Sequence, residues 1–362
     1  MLTVRSPVRI SFAGGGTDLP SYYERHGGIV ISAAINRYFY TVLQKRRDSK
    51  VQVISSDLRL SETWEDLATM DLSRTSLAIP LAVLKELGCS GLAFDMFMSS
   101  EIPPGTGLGS SACVCVTVIK ALTTYLGISM SRYRQAELAF HIARNVLKKP
   151  VGKQDEYASV FGGLNRIEFF RDDSTEVTRI ELSYELLKEF EANLMLFFTG
   201  ASHDSWSILK HQEESSRSNE PRAIESLHRI RDLAWEVLES FKRADIYRVG
   251  ELLHEGWLAK RKISEHISTS RIDDLYRLAR SNGAVGGKIT GAGGGGFLLL
   301  FCEQKHQQAI REAFAREGIH EMSFQFDSQG SHVIVNDPFI DGDDRCGKRW
   351  TFYSNRQFAP RM

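Results

Sequence analysis

The sequence is organised around residues 103–112, which are Pro103-Pro104-Gly105-Thr106-Gly107-Leu108-Gly109-Ser110-Ser111-Ala112. Three glycines alternate with other residues, two serines follow, and an apolar helical pattern begins at once. Glycine accepts backbone angles that other residues avoid, so such a loop turns tightly and leaves N–H groups unpaired. The first turn of the next helix adds more unpaired N–H groups and a partial positive charge. The stretch therefore predicts a phosphate site, in which the serine hydroxyls contact phosphate oxygens or magnesium.

Two common phosphate-binding loops are excluded by the same residues. No Gly-Lys-Ser or Gly-Lys-Thr ends the stretch, so it is not a P-loop of the Walker type. The glycines stand at alternate positions, which does not fit Gly-x-Gly-x-x-Gly. A glycine-rich connection that binds nothing is the alternative interpretation of the loop taken alone.

Length and composition narrow the class of protein. The 362 residues predict about two domains, and 42% hydrophobic with 25% charged residues is typical of a soluble globular chain. Lys plus Arg and Asp plus Glu both number 45, so the net charge is zero and a nucleic-acid partner is not expected. No apolar run approaches the ~20 residues of a membrane helix. The 5 cysteines show no zinc spacing, which favours reduced thiols and a cytoplasmic location.

Mixed strand and helix patterns without a regular βαβ alternation predict an α+β fold. Apolar periodicity predicts helices over 109–126 and 132–147, whereas the polar stretch 212–221 is expected to be a mobile loop. Strands are expected over 29–35 and 38–44. A boundary near residue 191 divides the chain into domains 1–190 and 191–336, followed by a charged and aromatic tail, 337–362, whose docking the sequence leaves open.

A first cluster of chemistry-bearing residues lies near the start of the chain. Arg9 lies in a β-rich run, which ends in Gly14-Gly15-Gly16-Thr17-Asp18. A carboxylate and a hydroxyl at a glycine turn suit a polyhydroxylated ligand, because one carboxylate accepts hydrogen bonds from two sugar hydroxyls. The alternative is that Asp18 only caps a short helix that begins at Pro20.

A second candidate is Asp155, which follows Gly152-Lys153-Gln154. A carboxylate there could accept the proton of an attacking hydroxyl, as the acidic residue of other phosphoryl-transfer enzymes does. A neighbouring cation would keep it ionised, and Arg9 and Lys153 are the two candidates. As a lone acid before small residues, Asp155 could also be an ordinary loop or cap residue.

The third candidate is the glycine run 291–296, which Lys288 precedes. Five glycines in six positions are costly in entropy when ordered, so a close approach of another backbone or a ligand is expected. A flexible hairpin turn is the alternative. Lys288 could balance phosphate charge or simply be solvated.

Taken in order, these four motifs resemble those of the GHMP small-molecule kinases, and they span residues 4 to about 335. The Pro-Pro-Gly-x-Gly-Leu-Gly-Ser-Ser-Ala stretch is the most specific of them. The resemblance implies an α+β, two-domain fold with a ferredoxin-like C-terminal domain and with ATP and substrate bound between the domains. The sequences Ala13-Gly14-Gly15-Gly16-Thr17-Asp18 and Gly152-Lys153-Gln154-Asp155 are similar to the branch that contains heptose-phosphate kinases and the kinase part of fucokinase.

The resemblance implies a role for each motif. Asp155 is the general base and Arg9 assists it, Asp18 holds sugar hydroxyls, and Ser111 contacts Mg²⁺. The residues implied to bind ATP are Pro104, Gly105, Thr106, Gly107, Leu108, Gly109, Ser110 and Ser111. The residues implied to bind the sugar are Gly15, Gly16, Thr17, Asp18, His203, Lys288, Gly293 and Gly294.

Two positions depart from the family pattern. Ala143 stands where most relatives carry a glutamate that binds magnesium, twelve residues before the general base. Magnesium is then held by Ser111, ATP and water alone, or by a carboxylate that the sequence does not identify. His203 stands where relatives of this branch often have arginine, and it would bind a sugar phosphate more weakly and in a pH-dependent way.

The function that the resemblance implies is ATP-dependent phosphorylation of the anomeric hydroxyl of a heptose 7-phosphate, giving the 1,7-bisphosphate. An anomeric kinase of an unphosphorylated sugar such as fucose is the first alternative. A nucleotide-binding regulator without turnover is the second, and Ala143 favours it. The sequence leaves open the sugar, its anomer and the oligomeric state, with a homodimer as one option.

Overall fold

The computed structural model describes residues 1–66, 71–200, 205–218 and 220–337. The strands are β1 (Leu2–Ala13), β2 (Gly28–Lys45), β3 (Val51–Ser55), β4 (Leu60–Trp64), β5 (Phe94–Ser100), β6 (Leu164–Phe169), β7 (Thr175–Arg179), β8 (Leu194–Phe198), β9 (Gly286–Ile289), β10 (Phe297–Phe301) and β11 (His332–Asn336). The helices are α1 (Pro20–His26), α2 (Ala78–Glu86), α3 (Ser110–Tyr125), α4 (Arg132–His141), α5 (Gln154–Phe161), α6 (Tyr184–Ala192), α7 (Ser205–Arg217), α8 (Pro221–Lys242), α9 (Ile246–Arg261), α10 (Ser270–Ser281) and α11 (Gln304–Arg316).

The larger sheet is built around the long strand β2. One edge of β2 pairs with β1 along its length, whereas the other edge pairs with β6 over residues 28–33 and with β5 over residues 39–45. The sequence predicted two strands here, but the structure has one, because a register shift between Pro7 and Val8 of β1 absorbs the irregularity near Asn36. Helices α3 and α5 pack on β1 and β2, and their apolar faces are buried in the core.

The smaller sheet has the order β8-β10-β9, and all its pairs are antiparallel. Helices α7, α8, α9 and α10 lie between β8 and β9 along the chain, and α11 follows β10. After α11, Glu321 forms an isolated bridge with Phe197 of β8, on the edge that β10 leaves free. A strand-helix-strand-strand-helix-strand order with this pairing is the ferredoxin-like topology, whose fourth strand is reduced here to one bridge.

Two elements differ from the sequence prediction. Helix α4 ends at His141 and continues as a π-helical turn, Ile142–Val146, where one continuous helix was expected. The prediction of a loop over 212–221 was wrong, because helix α7 extends to Arg217 and α8 begins at Pro221. The buried face of α7 is polar in this stretch, with Gln212, Glu213 and Ser216, so the hydrophobic periodicity does not reveal it.

The end of the described chain returns to the larger sheet, where β11 pairs antiparallel with β1. Beyond Asp337, the predicted tail lies outside the described residues. The described cysteines, Cys89, Cys113, Cys115 and Cys302, are buried free thiols. Among the described helices, none combines the length and hydropathy needed to cross a bilayer.

Candidate active site

The glycine loop leads from β5 into α3 as the sequence predicted. Gly105, Gly107 and Gly109 have φ angles of 73°, 78° and 79°, a left-handed conformation that glycine accepts without strain. Gly109 is the N-cap of α3, and the N–H of Cys113 makes a hydrogen bond of 3.0 Å to its carbonyl oxygen. The N–H groups of residues 110–112 precede that bond, and therefore the loop and helix start present donors to an anion.

The late glycine run packs directly against this loop. The N–H of Phe297 donates to the carbonyl oxygen of Thr106 at 3.2 Å. A Cβ atom added to Gly107 would lie 2.5 Å from the carbonyl oxygen of Thr290, and one added to Gly291 would lie 2.6 Å from the Cα of Gly107. The close approach expected from the glycine content is therefore the approach of the backbone of the glycine run to the backbone of the loop. A side chain at Gly107 or Gly291 would prevent it.

Asp155 lies in the first turn of α5 and is paired with Arg9 of β1. The Arg9 Nε donates to Asp155 Oδ1 at 2.8 Å, and Nη2 lies 2.6 Å from the same oxygen. Arg9 Nη1 also donates to the carbonyl oxygen of Gly107 at 2.7 Å, so one guanidinium connects the carboxylate to the glycine loop. Of the two proposed cations, Lys153 is excluded, because its Nζ binds Glu137 and Asp173 instead.

Asp18 is 3% exposed and accepts hydrogen bonds from the backbone of two segments. The N–H of Gly16 donates to its Oδ1 at 2.8 Å, and the N–H of Gln154 donates to its Oδ2 at 3.2 Å. The helix-capping interpretation was wrong, because Leu19 is the N-cap of α1 and no side chain caps it. Burial, and secondarily the charge of Asp155, raise the pKa of Asp18 above its usual value.

A cavity of about 260 Å³ joins the loop to both carboxylates. A Cβ added to Gly109 would lie 3.2 Å from the Asp155 carboxyl carbon, so the two predicted motifs are neighbours in space. Trp206 and Leu209 of α7 and the glycine run contribute further walls. The predicted site residues that line this cavity are Asp18, Pro104, Gly105, Gly107, Gly109, Ser110, Ser111 and Asp155.

The other predicted site residues that the structure describes do not line this cavity. The Thr17 hydroxyl is buried and donates to the carbonyl oxygen of Gly14 at 2.8 Å, so it holds the turn that carries Gly15 and Gly16. Gly294 faces a different surface pocket, and its N–H donates to Ile267 at 2.8 Å, whereas His203 lies outside the described residues. Four more are structural neighbours: Thr106 and Leu108 are buried in the loop, Gly293 packs on Ile267, and Lys288 is buried in β9.

A second cavity, of about 170 Å³, lies on the other side of the two serines. It shares Ser110 and Ser111 with the first cavity. Its remaining walls are mainly apolar and include Phe39, Leu77 and Met98. The start of α3 therefore lies between a cavity that holds both carboxylates and a second cavity whose mainly apolar walls suit a flat ring.

Two lysines in the C-terminal part of the chain are buried, and one of them, Lys260, interacts electrostatically with both carboxylates. Lys260 of α9 donates to the carbonyl oxygen of Gly291, and burial, opposed only in part by the Asp18 and Asp155 charges, lowers its pKa to about 8. Burial, followed by the charges of Lys260 and Arg9, also lowers the pKa of Lys288. An anion bound between these cations would relieve their repulsion.

Sequence reasoning missed several residues of the site. Lys260 follows Leu253 and Trp257 on the buried face of α9, and a lysine on such a face was the available signal. Glu156, also missed, lines the cavity beside Asp155, Ser111 and Ala143, the position that the sequence had singled out. Trp206, Leu209 and the buried Gln212 were missed because the sequence did not predict α7, the helix that carries all three.

The residues that line the cavity fit the way Mg²⁺ binds beside a nucleotide. Within the described ranges, no group of three or more His, Cys, Asp and Glu side chains forms a cation site. Mg²⁺ with a nucleotide usually takes only one or two protein oxygens, and phosphates and waters complete its shell. Ser111, Asp155 and Glu156 bring hydroxyl and carboxylate oxygens to one cavity wall, so the donor chemistry fits that mode of binding.

Comparisons with known proteins agree with this geometry. The model of the GHMP kinases N terminal domain matches residues 76–163, and the model of the GHMP kinases C terminal domain matches residues 237–320. D-glycero-alpha-D-manno-heptose 7-phosphate kinase of Campylobacter jejuni is 32% identical over 335 residues, which is 91% of this chain and 98% of that protein. L-fucokinase/L-fucose-1-P guanylyltransferase of Bacteroides fragilis is 24% identical over 85% of this chain but only 35% of its own length.

A solved structure shares the fold over nearly the whole chain. It is that of a D-glycero-D-manno-heptose 1-phosphate kinase from Bacteriodes thetaiotaomicron, with a TM-score of 0.78 and 24% identity. It covers 93% of this chain and 100% of its own. At that identity, the likeness establishes the arrangement of helices and strands.

Proposed function

Because the chain belongs to the GHMP kinase family and is a sugar kinase, we propose that it transfers the γ-phosphoryl group of ATP to the anomeric hydroxyl of a heptose 7-phosphate, giving the 1,7-bisphosphate. The observation that carries the proposal is the single cavity in which Asp18 and Asp155 face the start of α3. A phosphate cradle and two carboxylates in one cleft are the parts that phosphoryl transfer to a sugar requires.

ATP is the donor in this family, and two features of the site accommodate it. The N–H groups at the start of α3 and in the loop 105–109 bind its phosphates and neutralise part of their charge. The apolar cavity beyond Ser110 and Ser111 holds the adenine ring against Phe39 and Met98. Because the serines belong to both cavities, the phosphates pass from one to the other over the helix start.

Asp155 is the proposed general base. The anomeric oxygen attacks the γ-phosphorus, the bond from that phosphorus to the leaving ADP oxygen breaks, and the proton of the hydroxyl passes to Asp155. Arg9 donates twice to Oδ1, which fixes the carboxylate and leaves Oδ2 to receive the proton. Holding the acceptor and the base in one cavity supplies most of what this reaction demands of a protein.

The acceptor is held by Asp18, and its own phosphate is held by cations. Asp18 lines the same cavity, where its carboxylate oxygens accept hydrogen bonds from sugar hydroxyls in addition to those of the backbone. Lys260 and Lys288 are buried with lowered pKa values, Lys260 within reach of the charges of both carboxylates, and an additional phosphate on the substrate would compensate these shifts. The heptose 7-phosphate kinase activity of the relative at 32% identity supports the same substrate class.

Mg²⁺ would be held by Ser111 together with the phosphates of ATP, and it supplies charge neutralisation at the terminal phosphates when bound. The side chains that act on the acceptor do so independently of it. Asp18 orients the sugar, Asp155 takes the proton, and Trp206 and Leu209 of α7 cover the cavity and limit the access of water.

A coupled assay of ADP release tests the proposal. The purified chain with Mg·ATP is offered heptose 7-phosphate, heptose 1-phosphate, unphosphorylated heptose and fucose at equal concentrations. We expect the highest kcat/KM with heptose 7-phosphate, and phosphorus NMR of the product should show a new phosphate on the anomeric carbon.

Two outcomes would replace the proposal by its alternatives. A higher kcat/KM on fucose or unphosphorylated heptose would assign the chain to anomeric kinases of free sugars. Calorimetric binding of ATP without ADP release on any of the four sugars would assign it to non-catalytic nucleotide-binding proteins.

A further inference from the structure

Glu156 is a buried carboxylate that the proposed mechanism does not use. It follows Asp155 in the first turn of α5, and only 2% of it is exposed. Its Oε2 has no hydrogen-bond partner among the described residues. Buried carboxylates are ordinarily paired or bound to a metal, because leaving one unsatisfied is costly.

The surroundings of Glu156 are electrically unbalanced. The charged groups that act on it include the carboxylates of Asp155 and Asp18. Arg9 is the cation among them, but its guanidinium is already bound to Asp155 and Gly107. In the described part of the chain, no lysine or arginine forms an ion pair with Glu156, so a cation from outside would restore the balance.

The position of Glu156 indicates which cation would be bound. Glu156 lines the cavity together with Ser111, Asp155 and Ala143, at the start of the helix that is proposed to hold the ATP phosphates. A carboxylate, a hydroxyl and phosphate oxygens are hard ligands, which Mg²⁺ prefers. Ala143, in the π-helical turn, has only a methyl group, so no competing polar atom from that side chain enters the space.

We propose that Glu156 supplies the protein carboxylate of the Mg²⁺ site, directly or through one water, with Ser111 as the hydroxyl ligand. The proposal rests on the proposed function, since the phosphates that complete the shell are those of ATP. It assigns the carboxylate that the sequence could not identify. Glu156 is thereby a metal-binding residue, whereas its neighbour Asp155 is reserved for the proton.

The test is a binding measurement and needs no turnover. Calorimetry gives the Kd of a non-hydrolysable ATP analogue with excess Mg²⁺ and with EDTA. The ratio of the two, the Kd with EDTA divided by the Kd with Mg²⁺, reports how much the metal strengthens binding. In Glu156→Gln, which preserves shape, we expect the metal-free Kd to stay at the wild-type value. The ratio should fall by about 10- to 100-fold, the usual loss when a group of a metal site is removed.

Two further variants give the test its controls. Glu168→Gln removes a glutamate of similar chemistry from β6, outside the cavity, and should leave the ratio unchanged. Ala143→Glu combined with Glu156→Gln moves the carboxylate across the same cavity and should restore much of the ratio. If Glu156→Gln does not fold, Ala143→Glu alone should lower the Mg²⁺ concentration for half-saturation of analogue binding.

The outcomes separate the two proposals. A wild-type ratio in folded Glu156→Gln, or an unchanged Mg²⁺ requirement in Ala143→Glu, overturns the role of Glu156 while ADP release by the wild-type protein still supports the kinase. Failure of the wild-type chain to bind the analogue, with or without Mg²⁺, removes the nucleotide site itself and overturns both.

Discussion

Arg9 and Asp155 are 146 positions apart in the chain, yet two guanidinium nitrogens of Arg9 lie within 2.8 Å of one carboxylate oxygen of Asp155. Arg9 is 3% exposed, whereas Asp155 is 28% exposed toward the cavity. A buried cation on one oxygen orients the carboxylate and leaves the other oxygen available to a substrate. This geometry assigns separate roles to the two residues, and those roles can be tested one at a time.

Replacement of Asp155 by Asn tests the proton acceptor. The variant keeps the size of the side chain and one acceptor oxygen for Arg9, so we expect its thermal unfolding to be close to wild type. Its kcat should fall by about two to four orders of magnitude, the usual contribution of a positioned base. Steady-state kinetics with saturating ATP measure the effect, and an unchanged kcat would show that the proton goes elsewhere.

Asp18→Asn tests the proposed sugar-binding carboxylate. Hydrogen bonds to a charged group contribute about 1.5–3 kcal/mol, so we expect KM for the sugar to rise by about 10- to 100-fold. The Kd of an ATP analogue should stay at its wild-type value, because the Asp18 carboxylate is hydrogen-bonded to Gly16 and Gln154 and not, among the described residues, to the start of α3. Asp172→Asn, an exposed turn residue, is the control. Weakening of nucleotide binding in Asp18→Asn, with KM for the sugar unaltered, would contradict the assignment.

Gly107→Ala tests the contact between the two glycine segments. Its φ of 78° is strained for alanine, and the added methyl group would meet the Thr290 carbonyl oxygen at 2.5 Å. Gly91→Ala is a matched control, because its φ is 80° and nothing lies within 4 Å of the added atom. Strain alone costs about 1–2 kcal/mol of unfolding free energy in both variants. Only Gly107→Ala should also weaken ATP-analogue binding, by about tenfold or more. If Gly107→Ala and Gly91→Ala bind the analogue with equal affinity, the contact does not shape the phosphate loop.

Lys260 predicts a pH dependence of sugar-phosphate binding. Its pKa is lowered to about 8 in the free protein, and bound phosphate would raise it, so binding takes up a proton above that pH. The affinity for the phosphate-bearing ligand is therefore highest below pH 8. Above pH 8 it falls by up to about tenfold per pH unit, until the pH reaches the pKa that Lys260 has in the complex. Calorimetry of heptose 7-phosphate binding across this range measures the slope. Lys260→Met should remove it, and an identical slope in the variant would assign the proton to another group.

The main parts of the site were predictable because their signals are local. A glycine loop before a helix determines its own backbone geometry, and the left-handed angles at Gly105, Gly107 and Gly109 are those that the residue types require. The family, the α+β class and the ferredoxin-like part follow from such motifs in order, and all are confirmed. The roles of individual side chains remain predictions, although the loop and both carboxylates line one cavity.

What the sequence could not decide depends on tertiary contacts. Arg9 and Lys153 were equal candidates to pair with Asp155, and only the folded chain shows that Lys153 is turned toward Glu137 and Asp173. Helix α7 was missed because the buried positions of its second half, Gln212, Glu213 and Ser216, are polar. The ion pair between Glu213 and Arg144 replaces the usual apolar contact there. Hydrophobic periodicity detects helices that bury apolar stripes, so a helix that covers a polar cleft escapes it.

The return of β11 to the edge of β1 has a consequence for how this protein can be divided. A cut near residue 190 would separate β1 from its partner β11 and also break the bridge between Ile35 and Phe326. The first half expressed alone would carry an unpaired strand edge, which favours self-association. Chimaeras between relatives would accordingly need two crossover points, so that the stretch from about Phe326 to Asn336 travels with the amino-terminal half.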